Sequence, residues 1–427
     1  MGSPVGLIGV VVLLAIAWTM SSDRRRMPWR IIVGGILLQL VLAFLLLRFH
    51  PVVLAFDALA AGVNQVISSA DAGITFVFGE LGNPGGPWGF VFAIRALSVV
   101  IFFASLMAVL YHLGIMQRLV AALAWLLRST MGVTGTEALA MAANVFVGQT
   151  EAPLCVKPYI ERMTRSQIMT LMVGGFATIA GSVLGVYVGI LGGDSDASRE
   201  EFIKHLLTAS VMSAPAAFVI AKVIVPETDD PIDEGLRQAE MEEPHLNVLD
   251  AAAAGATDGM KLALNIAAML IAFVAILALV NKPIAWLGLQ LDADPTDGVG
   301  LQNLSLQLIL GWIFTPIAWV MGVAWEDCGA FGSLLGQKLI LTEFYAYKSL
   351  GDMIHAEDPA LSHRSAAIAA YALCGFANVP SIAIQIGGLS AIAPGKRREF
   401  VTLGARAMIG GAIASWMTAS IAGLFIP

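Results

Sequence analysis

The sequence predicts an all-α polytopic membrane protein with about eight transmembrane helices, re-entrant helical hairpins, interfacial helices and an inverted repeat. Three observations carry that prediction. Apolar residues make up 58% of the 427 residues and charged residues only 13%, against roughly 25% charged in an ordinary soluble chain. The apolar residues fall in runs of the ~20 needed to cross a bilayer, and mean hydropathy is +0.80. Finally, the stretches that break this pattern come as a matched pair, in the same order, along the two halves of the chain. So few charges cannot cover a globule of this size. Disordered, fibrous and disulfide-scaffold classes are excluded by the same composition.

Spans are expected at residues 4–20, 31–49, 92–114, 167–192, 203–225, 259–281, 366–393 and 401–425. The first has no basic residue before it and no convincing cleavage site, so it reads as a span in preference to a signal peptide. Residues 51–79 and 303–323 carry polar or Pro interruptions and are expected to lie at the interface or on protein, and 118–130 are short and amphipathic. The net charge is −7, and the acid-rich residues 227–243 read as a solvated loop. Basic residues set the orientation. Arg24, Arg25, Arg26 and Arg30 follow span one, Arg118 and Arg128 follow span three, and Lys396, Arg397 and Arg398 follow span seven. Alternating topology puts all of these on the cytoplasmic side and both termini outside. No basic tract is long enough to suggest nucleic acid as a partner. Cys155, Cys328 and Cys374 lack paired spacing and read as reduced packing residues.

The repeat is visible in short matches. Met131-Gly132-Val133 is echoed by Met321-Gly322-Val323, Gly148-Gln149 by Gly336-Gln337, and Gly175-Phe176-Ala177-Thr178 by Gly375-Phe376-Ala377-Asn378. The marked spans are the fourth and the seventh, so three spans separate their starts and the copies face opposite ways. Inverted repeats with interrupted helices are a signature of secondary transporters, whose site lies at the midplane between the copies.

Residues 144–153 read NVFVGQTEAP inside an apolar stretch from Ala138 to Val156. That is too short to cross twice and too polar to cross once, so a hairpin of two half-helices meeting at Gly148 and Pro153 is expected, with Glu151 near its tip. Thr134-Gly135-Thr136-Glu137 fits a capping box at its start. Residues 333–349 make the partner hairpin, with Glu343 inside it. A carboxylate at membrane depth costs about 2.5–3.5 kcal/mol and marks function by default. The competing readings are a solvated surface loop for Glu151 and an ion pair with Lys338 or Lys348 for Glu343. The marked spans carry breakers, Thr178 to Ser182 in one and Asn378-Val379-Pro380-Ser381 in the other. Each alone could be a mere kink. Together they offer free carbonyls, amides and hydroxyls to a polar uncharged ligand and a hard monovalent cation. No Walker A, GxGxxG, GxSxG or Cys/His metal spacing occurs, so transport is downhill or ion-coupled, without ATP hydrolysis or any other enzymatic step.

At these residues the sequence resembles the concentrative nucleoside transporter family. GQTEAP (148–153), TEFYAY (342–347), CGFAN (374–378), IQIGG (384–388) and DGMKLALNIAAML (258–270) carry the resemblance, which covers nearly the whole chain at the length of a bacterial member. It implies a homotrimer in the bacterial inner membrane, with a scaffold and an elevator-type transport domain. Residues 1–117 would be scaffold and 118–226 the first transport repeat. Residues 227–302 would hold the acidic loop, span six and an outer loop, and 303–427 the second transport repeat. By motif, Gly148, Gln149, Thr150, Glu151 and Val183 would face the nucleobase. Glu343, Asn378 and Ser381 would hold the ribose, and Phe376 would line the site. Sodium, the coupling ion and the only cofactor implied, would sit by Asn144, the Val147 carbonyl, Thr178 and the Ile179 carbonyl. The family commonly has Asn where this chain has Thr342, and Phe-Ser where it has Val379-Pro380. Proton coupling is the alternative within the same class, and a nucleoside receptor or channel the alternative outside it.

Overall fold

The computed structural model describes residues 4–83, 91–193, 195–236, 245–291 and 304–427, and within them the chain is helical, with no strand. It opens with α1 (Val5–Thr19), α2 (Trp29–Leu47), α3 (His50–Phe78) and α4 (Phe92–His112). Residues 51–79, expected to lie at the interface or on protein, fall almost entirely in one continuous helix, α3, whose length and composition would also allow it to cross a membrane. The reason is local. Pro51 lies in the first turn, where its missing N–H costs nothing. The polar interruptions have partners: Asn64 Nδ2 donates to Asp196 at 3.2 Å, and Asp71 accepts from Arg95 at 3.0 Å.

The two repeats then follow, element for element. The first runs α5 (Ile115–Met131), α6 (Gly135–Asn144), a 3-10 turn (Ala152–Val156) with α7 (Lys157–Ile160), α8 (Arg165–Ala177), α9 (Gly181–Gly192) and α10 (Asp196–Ile224). After α11 (Val248–Leu291) the second runs α12 (Leu306–Val320), α13 (Cys328–Ile340), α14 (Glu343–His355), α15 (His363–Ala372), α16 (Val379–Ile392) and α17 (Arg397–Ala422). The Met-Gly-Val echoes fall at equivalent corners, where Gly132 and Gly322 both take positive φ, 68° and 91°. The Gly-Gln echoes do not: Gly148 and Gln149 lie in a turn, whereas Gly336 and Gln337 lie inside α13. At the tips the matching pairs are Thr150-Glu151 and Thr342-Glu343.

Among the described residues, seven helical stretches are long and apolar enough to span a membrane: Trp29–Leu47, His50–Gly82, Phe92–His112, Arg165–Gly192, Asp196–Ile224, Val248–Gln290 and Pro394–Ala422. α1, α12 and α16 are apolar but shorter. The breaks expected in the marked spans are present, over residues 178–180 between α8 and α9 and over 373–378 between α15 and α16. α8, α9, α10 and α17 pack into one body, with α1 and α15 against it, while α11 lies along α4. The three free cysteines are all buried in apolar surroundings.

The base of hairpin 1 is tightly anchored. Thr134 caps α6 by accepting from Glu137 N at 3.3 Å. Glu137 does not return the bond as a capping box would, because its carboxylate turns to Lys222 Nζ, 2.5 Å away and buried. Lys222 also meets Glu227 at 3.4 Å. Residues 227–236 are largely exposed, as expected of a solvated loop, but they are tied to the hairpin base. Asp233 accepts from Gly135 N and Arg128, each at 2.9 Å, and Ile232 exchanges bonds with the side chain of Gln167. The rest of the acidic stretch, 237–243, and the proposed boundary at 302–303 lie outside the described residues.

Candidate functional site

The two hairpins differ in build. Hairpin 2 is two regular helices, α13 and α14, turning at Leu341 and Thr342. Thr342 is buried and caps α14 by accepting from Tyr345 N at 3.3 Å. Glu343 therefore occupies the first turn of α14, where the helix dipole favours a carboxylate. In hairpin 1 only the first arm, α6, is a regular helix of any length. The return arm carries Pro153 and Pro158, which remove backbone donors, and it forms a 3-10 turn and a four-residue helix.

Glu343 is buried, and neither Lys338 nor Lys348 pairs with it. Its Oε2 accepts from Asn378 Nδ2 at 2.6 Å and its Oε1 from the Tyr187 hydroxyl at 3.3 Å. Tyr187, on α9, is itself buried and stacked on Tyr347 with ring centroids 4.3 Å apart. Asn378 also caps α16, its Oδ1 accepting from Ser381 N at 2.8 Å. Thus Glu343, Asn378 and Ser381 come together at the junction of hairpin 2 and α16, with Phe376 half-buried just before them. Lys338 Nζ instead donates to Ala372 O and Cys374 O, both at 3.0 Å, and Lys348 pairs with Asp352.

Hairpin 1 reaches the same region through α9 and α16. Gly181 N, at the start of α9, donates to Phe146 O at 2.9 Å. Gln149 is buried against Gly175 of α8, where a Cβ would lie 2.8 Å from the Gln149 Cβ. Thr150 stands against Gly388 of α16. The two breaks themselves touch. Gly375 takes φ +103°, and a Cβ there would lie within 3 Å of the Phe176 carbonyl oxygen and of Ala177. Val183 is buried in the first turn of α9.

Glu151 is exposed, and its carboxylate folds back on its own turn, with the Thr150 hydroxyl 3.4 Å away and the backbone of Gly148 and of Glu151 also bonding it. It faces a cavity of about 510 Å³ lined by Met107, Tyr111, Val147, Gly148, Ser182 and Asp258. The carboxylate is therefore neither on an outer face nor sealed in.

The third cluster is all oxygen. Asn144, the last residue of α6, is buried and donates its Nδ2 to Ala140 O at 3.1 Å, while its Oδ1 has no partner. Thr178 directs its hydroxyl to Gly174 O at 2.9 Å, leaving the oxygen's lone pairs free. Asn144 Nδ2 and Gly174 are neighbours, so both side chains lie against Gly174. Among the described residues no donor bonds the carbonyls of Val147 or Ile179. A buried acceptor left unbonded is costly, and a hard cation is the partner that an oxygen-only cluster suits.

Reading the sequence alone missed Tyr187 and Gln385. Gln385 donates to Met172 O at 3.0 Å and leaves its own Oε1 unbonded and buried. It lies within IQIGG, a polar residue in an apolar run, which is the signal that could have found it. Tyr187 gives no such signal, because a lone aromatic in an apolar helix is ordinary.

Comparison with known proteins agrees with this geometry. The model of the Na+ dependent nucleoside transporter C-terminus matches residues 205–423 and that of its N-terminus residues 8–81. A nucleoside recognition "Gate" model matches residues 93–194. An uncharacterized transporter of Haemophilus influenzae is 42% identical over 98% of this chain and 97% of its own. Sodium/nucleoside cotransporter 1 of Mus musculus is 40% identical over 99% of this chain but 64% of its own length, so the chain spans about two thirds of that relative. Among solved structures, CNTnw in an inward-facing substrate-bound state aligns with a TM-score of 0.89 and 40% identity, covering 99% of this chain and 97% of that one. A substituted CNTnw in an outward-facing state also scores 0.89, at 39% identity and the same coverage. On these grounds the chain belongs to the concentrative, Na+-dependent nucleoside transporter family, whose members are transporters and not enzymes.

Proposed function

We propose that the protein takes up nucleosides together with sodium, as a symporter working by an elevator-type movement in a bacterial inner membrane. The observation that carries this reading is the buried Glu343–Asn378 pair at 2.6 Å, where hairpin 2 meets the second helix break. A carboxylate accepts from two vicinal hydroxyls, and such charge-assisted bonds are roughly twice as strong as neutral ones. Glu343, Asn378 and Ser381 hold the ribose, with Phe376 lining the site. Gln149, which can donate and accept, meets the base edge, with Gly148, Thr150, Glu151 and Val183 around it. Sodium travels at the Asn144 Oδ1, the Thr178 hydroxyl and the carbonyls of Val147 and Ile179.

The moving body consists of residues 118–226 and 303–427, to which residues 227–236 are tied by Glu227, Ile232 and Asp233, and residues 1–117 and the rest of 227–302 form a scaffold that trimerises. The contrast in burial supports this division: the spanning windows of α8–α9 and α10 are 89% buried, those of α3 and α11 only 17%. The poorly covered helices have apolar surface to give to lipid and to other copies. The cavity beside Glu151 is lined by His112 and Gln117, next to Arg118. Positive residues mark the cytoplasm, so this conformation is inward-facing, with both termini outside.

One sodium entering down 100 mV contributes about 2.3 kcal/mol, and about 1.4 kcal/mol corresponds to tenfold, so the potential alone supports roughly forty-fold accumulation. Proteoliposomes holding the purified protein will concentrate labelled uridine under an inward sodium gradient. Uptake that persists when choline replaces sodium, or that follows a proton gradient alone, overturns the sodium assignment. Binding without counterflow of unlabelled uridine overturns transport itself.

A further inference from the structure

Lys338 is fully buried in α13, and its ammonium is bonded to two backbone carbonyls, Ala372 O and Cys374 O, each at 3.0 Å. A cation at this depth is expensive and generally marks function. Here its compensation comes from the C-terminal end of α15, where the chain leaves the helix and carbonyls lose their intrahelical donors and where the helix dipole is negative. The Ser415 hydroxyl of α17 donates to the same Cys374 O at 2.6 Å. Two side chains from two other helices therefore fasten the start of the unwound residues 373–378. Four residues beyond Cys374, Asn378 closes that segment with its bond to Glu343, which sits on the other arm of the same hairpin as Lys338. The segment is thus pinned to hairpin 2 at both ends, by α13 through Lys338 and by α14 through Glu343.

We propose that Lys338 is a positioning residue for substrate recognition. It holds the unwound segment before α16 against hairpin 2, so that Asn378 and Glu343 meet vicinal hydroxyls in one fixed geometry. This rests on the reading of Glu343 and Asn378 as the ribose site. The sequence had offered Lys338 as a neutralising partner of Glu343. Its bonds give it a mechanical task instead: bracing the backbone that carries Asn378.

The experiment measures equilibrium binding of uridine and of 3′-deoxyuridine to detergent-purified protein in saturating sodium, and compares the ratio of their affinities. Wild-type protein will prefer uridine by about tenfold or more, the factor for losing one hydrogen bond to a charged group. In Lys338→Met the ratio will fall to about three or below. Lys338→Gln, which keeps a donor, will lie between the two, and Ser415→Ala will lower the ratio about twofold, because Lys338 still holds Cys374 O. Damage to folding alone would weaken both nucleosides together and leave the ratio unchanged. If Glu343→Gln collapses the ratio while the Lys338 and Ser415 variants keep the wild-type value, the positioning role is refuted. If Glu343→Gln itself keeps full discrimination, the ribose assignment fails and the inference falls with it.

Discussion

At the tip of hairpin 2, Glu343 heads a thirteen-residue helix, is buried, and accepts from Asn378 and Tyr187. At the tip of hairpin 1, Glu151 precedes a 3-10 turn, is exposed to a 510 Å³ cavity, and bonds within its own turn, to the Thr150 hydroxyl and the backbone of Gly148 and Glu151. Both follow a threonine in the corresponding place of an inverted repeat, so the difference comes from what surrounds them. In hairpin 2, Thr342 is spent on capping α14, which fixes the backbone and sets Glu343 at a positive helix end. In hairpin 1, Pro153 and Pro158 prevent a full return helix, and the turn is left with unbonded acceptors at Asn144 and Gln149. One hairpin is preorganised before its ligand arrives. The other has bonds still to make.

That contrast predicts the largest loss at Glu343. Replacing it with Gln keeps the shape but removes the charge, and one of its two acceptor oxygens becomes an NH2 that cannot accept from a hydroxyl. Hydrogen bonds to charged groups contribute about 1.5–3 kcal/mol each, so losing even one should cut uridine transport at sub-saturating concentration by roughly ten- to hundredfold. Sodium-driven uptake in proteoliposomes checks this, with size-exclusion chromatography to show the assembly intact. Near-normal uptake would remove Glu343 from the site and with it the asymmetry between the hairpins.

How much of this was legible beforehand follows from the same physics. Breaks at residues 178–180 and 373–378 were readable because Pro380, Asn378 and the Thr-Ile-Ala-Gly-Ser run are polar or helix-breaking in runs that ought to be apolar. The tips were readable because a carboxylate at depth needs a reason. The continuity of α3 was not, since Asp71 and Asn64 look like interruptions until Arg95 and Asp196, distant in sequence, meet them. The Gly-Gln echo misled for a related reason: sequence similarity between Gly148-Gln149 and Gly336-Gln337 carries no information on which pair the chain uses for turning. Local signals show where the backbone must depart from helix. They do not show which distant group will satisfy it, and Tyr187, Gln385 and the true partners of Lys338 are all of that second kind.

On the hairpin 1 side the strongest prediction concerns Asn144. Its Oδ1 is buried without a partner, which a bound cation would relieve. Asn144→Ala should raise the sodium concentration for half-maximal uptake by about tenfold, in line with the cost of one buried acceptor. Uridine affinity should recover at saturating sodium. A variant whose uridine affinity falls equally at all sodium concentrations would place Asn144 outside the ion site and make hairpin 1 a nucleobase contact only.

The smallest effect is expected at Glu151. Because its carboxylate is already open to the cavity and bonded within its own turn, exchanging it for Gln disturbs little elsewhere in the protein, and an amide can still bond a base edge. Uridine affinity should weaken by about three- to tenfold, the value of one ordinary hydrogen bond of ~1 kcal/mol or slightly more. The uridine to 3′-deoxyuridine ratio should stay at its wild-type value, because the proposed ribose site lies on the other hairpin. A loss at Glu151→Gln as large as that at Glu343→Gln would break the comparison. It would mean that hairpin 1 tightens on the nucleoside until Glu151 is as enclosed and as fully bonded as Glu343, so that the asymmetry belongs to this one conformation.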